Sequence, residues 1–257
     1  IGEAEKAVAQ YAAEMVHDGD CIQLGFGGIP NAIGFELMNR HDLGIHTEQI
    51  GASMAHMIQS GVVTNRYKNL DRGWSVGAFI IADNFTYNYV NNHPRIMMRR
   101  GRYTNDPMII AQQDNMVSIN AALQIDLTGG EGWGYETDPG TEVEPYQPDI
   151  GKKDSEDVVF GALGEGRFVL FFPGELHRPG GATDYAYGAY HSRGGRAMLC
   201  QISTAKKGTI SRIAPILDPG SIVSVSRNLT DMVITEYGVA KLRQRTVKQR
   251  VENLIAV

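Results

Sequence analysis

The chain has 257 residues, 42% of them hydrophobic, and a formal net charge of −5. That length fits one large α/β domain or two small ones, and the charges are spread along the chain instead of forming the basic stripe of a nucleic-acid groove. No apolar run approaches the ~20 residues of a membrane span, so neither nucleic acid nor membrane is an expected partner.

Cys21 and Cys200 are the only cysteines. Both lie in apolar runs, which suits buried thiols in a reducing compartment better than a disulfide framework. Without Cys-x-x-Cys or His-x-x-x-His spacing, no metal site is expected. Ile1 opens the chain inside one helical pattern and Val257 closes it inside another, so both ends read as cut.

In chain order, residues 3–17 place Ala7, Val8, Tyr11, Ala12, Met15 and Val16 on one helical face, and Asp18-Gly19-Asp20 stops the helix. An apolar run, Cys21-Ile22-Gln23-Leu24, then enters a turn with three glycines in four positions, Gly25, Gly27 and Gly28. Glycines this close let backbone N–H groups converge on one concavity, because no Cβ intervenes. At the carboxyl end of a strand such a turn can hold an anion or a developing oxyanion. After Pro30, Ile33, Leu37 and Met38 recur at helical spacing, and a second strand is expected to run through Gly44-Ile45-His46-Thr47 to a single carboxylate, Glu48. Gly25, Gly27 and Glu48 also fit a dinucleotide fingerprint with its acidic residue about twenty positions on. Pro30, however, occupies the place of the third glycine, so that reading is the runner-up.

Met54, Met57 and Ile58 predict a short helix closed by Gly61, Trp74–Ala82 a buried strand, and Phe85, Tyr89 and Val90 a helix ended by Pro94. The clearest alternation runs from Met116 to Leu127, broken only at Ala122, and predicts one strand. From Glu131 to Asp157 the chain is rich in Gly, Pro and acids, which predicts a long loop or excursion. Strand character returns at Val158–Leu163 and Phe168–Phe172. A second glycine turn, Gly180-Gly181, leads into a helical stretch. Arg196–Ile202, Ser221–Ser226 and Met232–Ile234 read as strands, and Val247, Val251 and Leu254 mark a final amphipathic helix. Alternating strands and helices predict an α/β fold: an open, mostly parallel sheet flanked by helices.

The ordered set Gly25-Phe26-Gly27-Gly28-Ile29-Pro30-Asn31-Ala32, Leu43-Gly44-Ile45-His46-Thr47-Glu48, Asn105-Asp106-Pro107, Asp114–Asn120, Asp126-Leu127-Thr128-Gly129, Gly180-Gly181, Ser203-Thr204-Ala205, Ser211-Arg212-Ile213 and Thr235–Ala240 resembles the acetyl-CoA hydrolase/transferase family. That family includes the 4-hydroxybutyrate, butyrate and succinate CoA-transferases. The likeness spans nearly the whole chain and matches the C-terminal half of the family's two-domain protein. It implies a fold of the CoA-transferase type, with residues 1–257 as the catalytic domain and the family's N-terminal domain, or a second chain, as partner.

It further implies ping-pong transfer of coenzyme A between an acyl-CoA and a small carboxylic acid. CoA is then a substrate, and no cofactor is permanently bound. The nucleophile role falls on Glu48, the CoA site on Gly25, Gly27, Gly28, Ile29 and Gly181, and a CoA phosphate contact on Lys207, whose alternative is a solvated surface lysine. A homo-oligomer is also implied, in the cytoplasm or in a eukaryote's mitochondrion. The chemistry agrees, since a carboxylate is ionised at neutral pH and attacks a thioester without a general base. Water in place of the acceptor acid would make the same site a thioester hydrolase, and a non-catalytic nucleotide-binding partner domain is the reading from a different class. The sequence departs from the family after the nucleophile (Gln49-Ile50-Gly51-Ala52-Ser53), at Ala182 in place of a glutamine, and from Glu131 to about His177, all around the acyl site.

Overall fold

A computed structural model describes residues 2–133, 159–163, 167–171, 181–218 and 221–257. The apolar run ahead of the glycine turn forms β1 (Cys21–Leu24), buried at all four positions because it has a strand on either side. It pairs in parallel with β2 (Gly44–Ile45) and with β3 (Met116–Ala121). β3 pairs in parallel with β4 (Arg196–Cys200), and β4 with β5 (Met232–Thr235). β5 turns back into the antiparallel edge strand β6 (Gly238–Lys241). The sheet order is β6-β5-β4-β3-β1-β2, the mostly parallel α/β sheet that the alternation of elements predicts.

The helices are α1 (Glu3–Glu14), α2 (Gly28–Glu36), α3 (Ala52–Gln59), α4 (Asn84–Val90), α5 (Gly101–Thr104), α6 (Pro107–Ile110), α7 (Ala182–His191) and α8 (Val247–Ile255). Side chains alternate across a strand, so one sheet builds two cores. Ile22, Leu24, Val117, Ile119 and Met198 pack on Val8 and Ala12 of α1, Ile33 of α2 and Met57 of α3. Met116, Ala197, Leu199 and Val233 meet Ile110 of α6, Tyr185 and Ala189 of α7 and Leu254 of α8 on the other face. Cys21 and Cys200 are both buried. Burial pushes their thiols up to about 11 and about 12, which leaves them protonated and unreactive at neutral pH.

Four expectations need correction. The predicted strand from Met116 to Leu127 is two: β3 ends at Ala121, and Gln124–Asp126 joins a separate four-stranded sheet. The break falls where the alternation fails at Ala122, and it lets the chain leave the main sheet. Trp74–Ala82 is likewise split into Ser75–Gly77, paired with Ile96–Met98, and a half-buried Phe79–Ile80, paired with Gln49–Ile50. The change of partner happens beside Gly77, where a Cβ would stand 2.7 Å from Ile50. The strand predicted up to Glu48 ends at Ile45, followed by a single bridge at His46. Finally, Glu131–Trp133 is a strand and not the start of a loop; residues 134–157 lie outside the described residues. Val159–Leu163 and Arg167–Phe171 form an antiparallel hairpin in a second unit, residues 135–180.

Glu131 is fully buried between strand neighbours Ile125 and Val225. Its Oε2 accepts from the Ser224 hydroxyl at 3.0 Å, and Oε1 has no hydrogen-bond partner among the described residues. Burial outweighs that one hydroxyl and pushes the carboxyl up to about 7 from its ordinary 4.5. The folded state therefore favours the protonated acid. The group's contribution to stability is complete below about pH 4.5 and is lost as pH rises through about 7. Glu131→Gln, which mimics the neutral acid, is expected to raise stability by about 3 kcal/mol at pH 8 and to change it little at pH 4. Denaturant titration at the two pH values checks this, and an equal effect at both would contradict it.

Candidate active site

The parallel strands all end on one edge, and most of the residues singled out from sequence lie there. The chain leaves β1 toward β2 and later returns to β1's other side as β3, so the loops beyond β1 and β3 part at a topological switch point. The glycine turn sits at that point. Gly25 N–H donates to the Ile119 carbonyl at 2.8 Å, and a Cβ on Gly25 would lie 2.6 Å from Asn120 Oδ1. Gly27 has φ +122°, a conformation that side chains disfavour. Helix α2 starts at Gly28, ahead of Pro30, and no side chain caps it. Its first N–H groups, on Gly28 and Ile29, are thus available to an anion. Pro30 costs little in that first turn, where its missing N–H would have no helical acceptor.

Glu48 lies at a bend just past β2, half-buried, and its backbone is fixed from both directions. Upstream, His46 N–H donates to Ile22 O and Thr47 N–H to Val76 O. At Glu48 itself, the carbonyl accepts from Ala78 N–H at 2.7 Å and Phe79 N–H at 3.1 Å. The backbone thereby passes from the main sheet to the short strands beyond it, and the side chain is left at the edge.

That carboxylate has two neighbours from distant parts of the chain. Asn105 Nδ2 donates to Oε1 at 2.8 Å. Asn105 sits between α5 and α6, held by a tight start to α6: Asp106 caps it by accepting from Met108 N–H, and Pro107 opens the first turn. Gly181, the N-cap of α7, is the second neighbour, and a Cβ there would stand 2.6 Å from Oε2. One oxygen of Glu48 is therefore held by an amide, and the other faces bare backbone.

Behind the carboxylate lies a buried polar layer. His46 is fully buried, with Nε2 3.1 Å from Thr104 O. Burial, and then the buried Lys68 ammonium, hold its imidazole down to about 4. Lys68 donates to the carbonyls of Ile45 and Trp74. Tyr185 is fully buried too. Burial, and then the charge of Glu48, push its phenol well above the usual range. Its hydroxyl makes no hydrogen bond of good geometry among the described residues, although the Thr104 hydroxyl is near enough to act on it.

The structure thus brings Glu48 and Gly181 together and adds Asn105, which the sequence flagged as part of a motif but without a role. Gly25, Gly27, Gly28 and Ile29 lie at the end of the strand next to β2. Lys207 follows the carboxyl end of β4, exposed on a turn between Thr204–Ala205 and Ile210–Ser211. No hydrogen bond or ion pair joins it to Glu48 or to the glycine turn among the described residues. Lys206 and Lys207 have φ +47° and +57°, a left-handed conformation that costs a residue with a Cβ about 1–2 kcal/mol.

Comparison with known proteins matches residues 83–132 and 175–257, just over half of the chain, to the acetyl-CoA hydrolase/transferase C-terminal domain. Over 257 residues the chain is 38% identical to the succinyl-CoA:cyclohexane-1-carboxylate CoA transferase of Geobacter metallireducens, covering 100% of this chain and 51% of that protein. Among solved structures, RipA from Yersinia pestis superposes with a TM-score of 0.79 at 37% identity, covering 98% of this chain and 49% of the other. The 4-hydroxybutyrate CoA-transferase of Porphyromonas gingivalis gives 0.76 at 34% identity, covering 99% and 52%. The chain spans about half the length of the curated relatives it matches.

Proposed function

This chain belongs to the acetyl-CoA hydrolase/transferase family, and on that premise we propose that it carries the reacting carboxylate of a CoA-transferase. The reading rests on the environment of Glu48: one oxygen held by Asn105, the other facing Gly181. An anion fixed in this way is a nucleophile that needs no base. Its oxygen attacks the thioester carbonyl of an acyl-CoA, the C–S bond breaks, and CoA leaves as the thiolate. The thiolate attacks the glutamyl carbonyl of the resulting anhydride and expels the first acid, leaving a glutamyl-CoA thioester. A second carboxylate attacks that thioester and runs the sequence in reverse.

Each attack creates an oxyanion; when the thiolate attacks the glutamyl carbon it forms on Oε1, where the Asn105 amide is already aimed, and such a donor is worth roughly 3 kcal/mol. CoA lies along Gly25, Gly27, Gly28 and Ile29, whose uncapped helix start and open surface suit a negatively charged, extended ligand. Lys207 meets its phosphates from the strained turn. A further domain or a second chain closes the cleft, in keeping with relatives twice as long. The dinucleotide alternative asks Glu48 to bind a ribose, yet one of its oxygens is already held by Asn105 and the other lies close against the Gly181 backbone. Incubating the protein at its natural length with acyl-CoA and acetate, and scoring new acyl-CoA against free thiol, tests the reading. Thiol release alone would make it a hydrolase on the same intermediate, and neither product would overturn it.

A further inference from the structure

We infer that His46 and Thr104 are positioning residues that act on Glu48 through the Asn105 amide. The inference rests on the reading of Glu48 as nucleophile and goes beyond it. Four residues form a ring that passes through both the backbone carbonyl and the hydroxyl of Thr104 and is closed by the backbone at Thr47. His46 Nε2–H donates to Thr104 O at 3.1 Å. The Thr104 hydroxyl donates to Asn105 Oδ1 at 2.8 Å, shorter than its 3.4 Å alternative to Gly101 O. Asn105 Nδ2 donates to Glu48 Oε1 at 2.8 Å. Glu48 returns to His46 through Thr47.

Of the acceptors near the Thr104 hydroxyl, Asn105 Oδ1 gives the shortest hydrogen bond. A hydroxyl carries one proton, and giving it to Oδ1 leaves the amide only its NH2 end for the carboxylate. Without that bond, either face of the amide could turn to Glu48, and the carbonyl end would repel it. A carbonyl can only accept, so the imidazole proton is on Nε2. His46 is fully buried between Tyr103 and Tyr185, with ring centroids 6.0 and 6.3 Å away, and Thr104 is fully buried as well. The His46–Thr104 end of the ring is therefore held by packing and screened from water, where a hydrogen bond orients its partner most strongly, and Asn105 carries it out to the half-buried Glu48. His46 Nδ1 has no partner among the described residues. A histidine kept for stability alone would be expected to satisfy both nitrogens.

The test uses the protein at its natural length. Thr104→Val keeps shape and burial but removes the hydroxyl, while Thr104→Ser restores it. His46→Ala removes the donor, and His46→Gln supplies another. Steady-state kinetics, thermal melting and borohydride capture of the Glu48 thioester are read for each. We expect Thr104→Val and His46→Ala to lower kcat about 10–100-fold, the scale of a small misplacement of a reacting group, with KM for acyl-CoA unchanged. Thr104→Ser and His46→Gln should keep most of the parent's turnover, and the double variant Thr104→Val with His46→Ala should lose no more than the worse single one. A purely structural role predicts a lower melting temperature with kcat intact, and that result for Thr104→Val overturns the inference even if His46→Ala fails to fold. No captured adduct in the parent protein would overturn the Glu48 reading and this inference with it; an adduct in the parent together with unaltered kcat in Thr104→Val overturns the positioning role alone.

Discussion

Glu48→Gln is expected to abolish turnover, by a factor on the order of 10⁴ to 10⁶, the scale for removing a covalent nucleophile. Glutamine keeps the size and can still accept from Asn105 Nδ2, so the bend past β2 and its backbone bonds to Ala78 and Phe79 should survive. What it lacks is the charge that attacks. CoA affinity should change little, because the glycine turn belongs to a different strand end and is untouched. Glu48→Ala should lose as much. Were Glu48 instead to hold a ribose, both variants would weaken ligand binding, a distinction that titration of CoA and NADH against intrinsic fluorescence makes directly.

Gly181→Ala should leave a stable protein with turnover lower by about 10²-fold or more. Gly181 has φ −72°, which alanine adopts without strain, and the exchange removes some freedom from the unfolded chain. The difficulty is local. The added Cβ would stand 2.6 Å from Glu48 Oε2 and 2.9 Å from Asn105 Nδ2, and both are ends of side chains that can move. Moving them costs little stability but displaces the nucleophile and its donor together. A melting temperature within a few degrees of the parent, combined with lost kcat, is the expected pattern. Full activity would mean that α7 approaches the carboxylate without consequence for the chemistry.

The parts of this arrangement that were legible in the sequence are those written in neighbouring residues. β1 reads as a strand because four apolar or buried-capable residues precede the glycines, and the turn reads as a turn because of those glycines. The final helix α8 shows in the spacing of Val247, Val251 and Leu254. Glu48 could be singled out as the carboxylate ending a strand, although the strand proved shorter than its apolar pattern, because pairing partners, not periodicity, decide where a strand stops. The break after Ala121 was visible only as one misplaced alanine. Asn105 was out of reach as a functional residue, since it lies 57 positions from Glu48 and is brought there by tertiary packing. The same holds for His46, just past a two-residue strand that carries no signal that its ring would be wholly enclosed. Lys207 stays an inference from motif order, supported by the strained turn that carries it.

During turnover Glu48 is expected to become covalently attached to CoA. The most direct measurement is peptide mass mapping of the natural-length protein after acyl-CoA and then borohydride, with matched samples lacking either reagent. A glutamyl thioester is electrophilic where a resting carboxylate is not, so reduction should convert Glu48 alone, and only in the sample that received both. A modified residue elsewhere, or none in a preparation that turns over, would contradict the account.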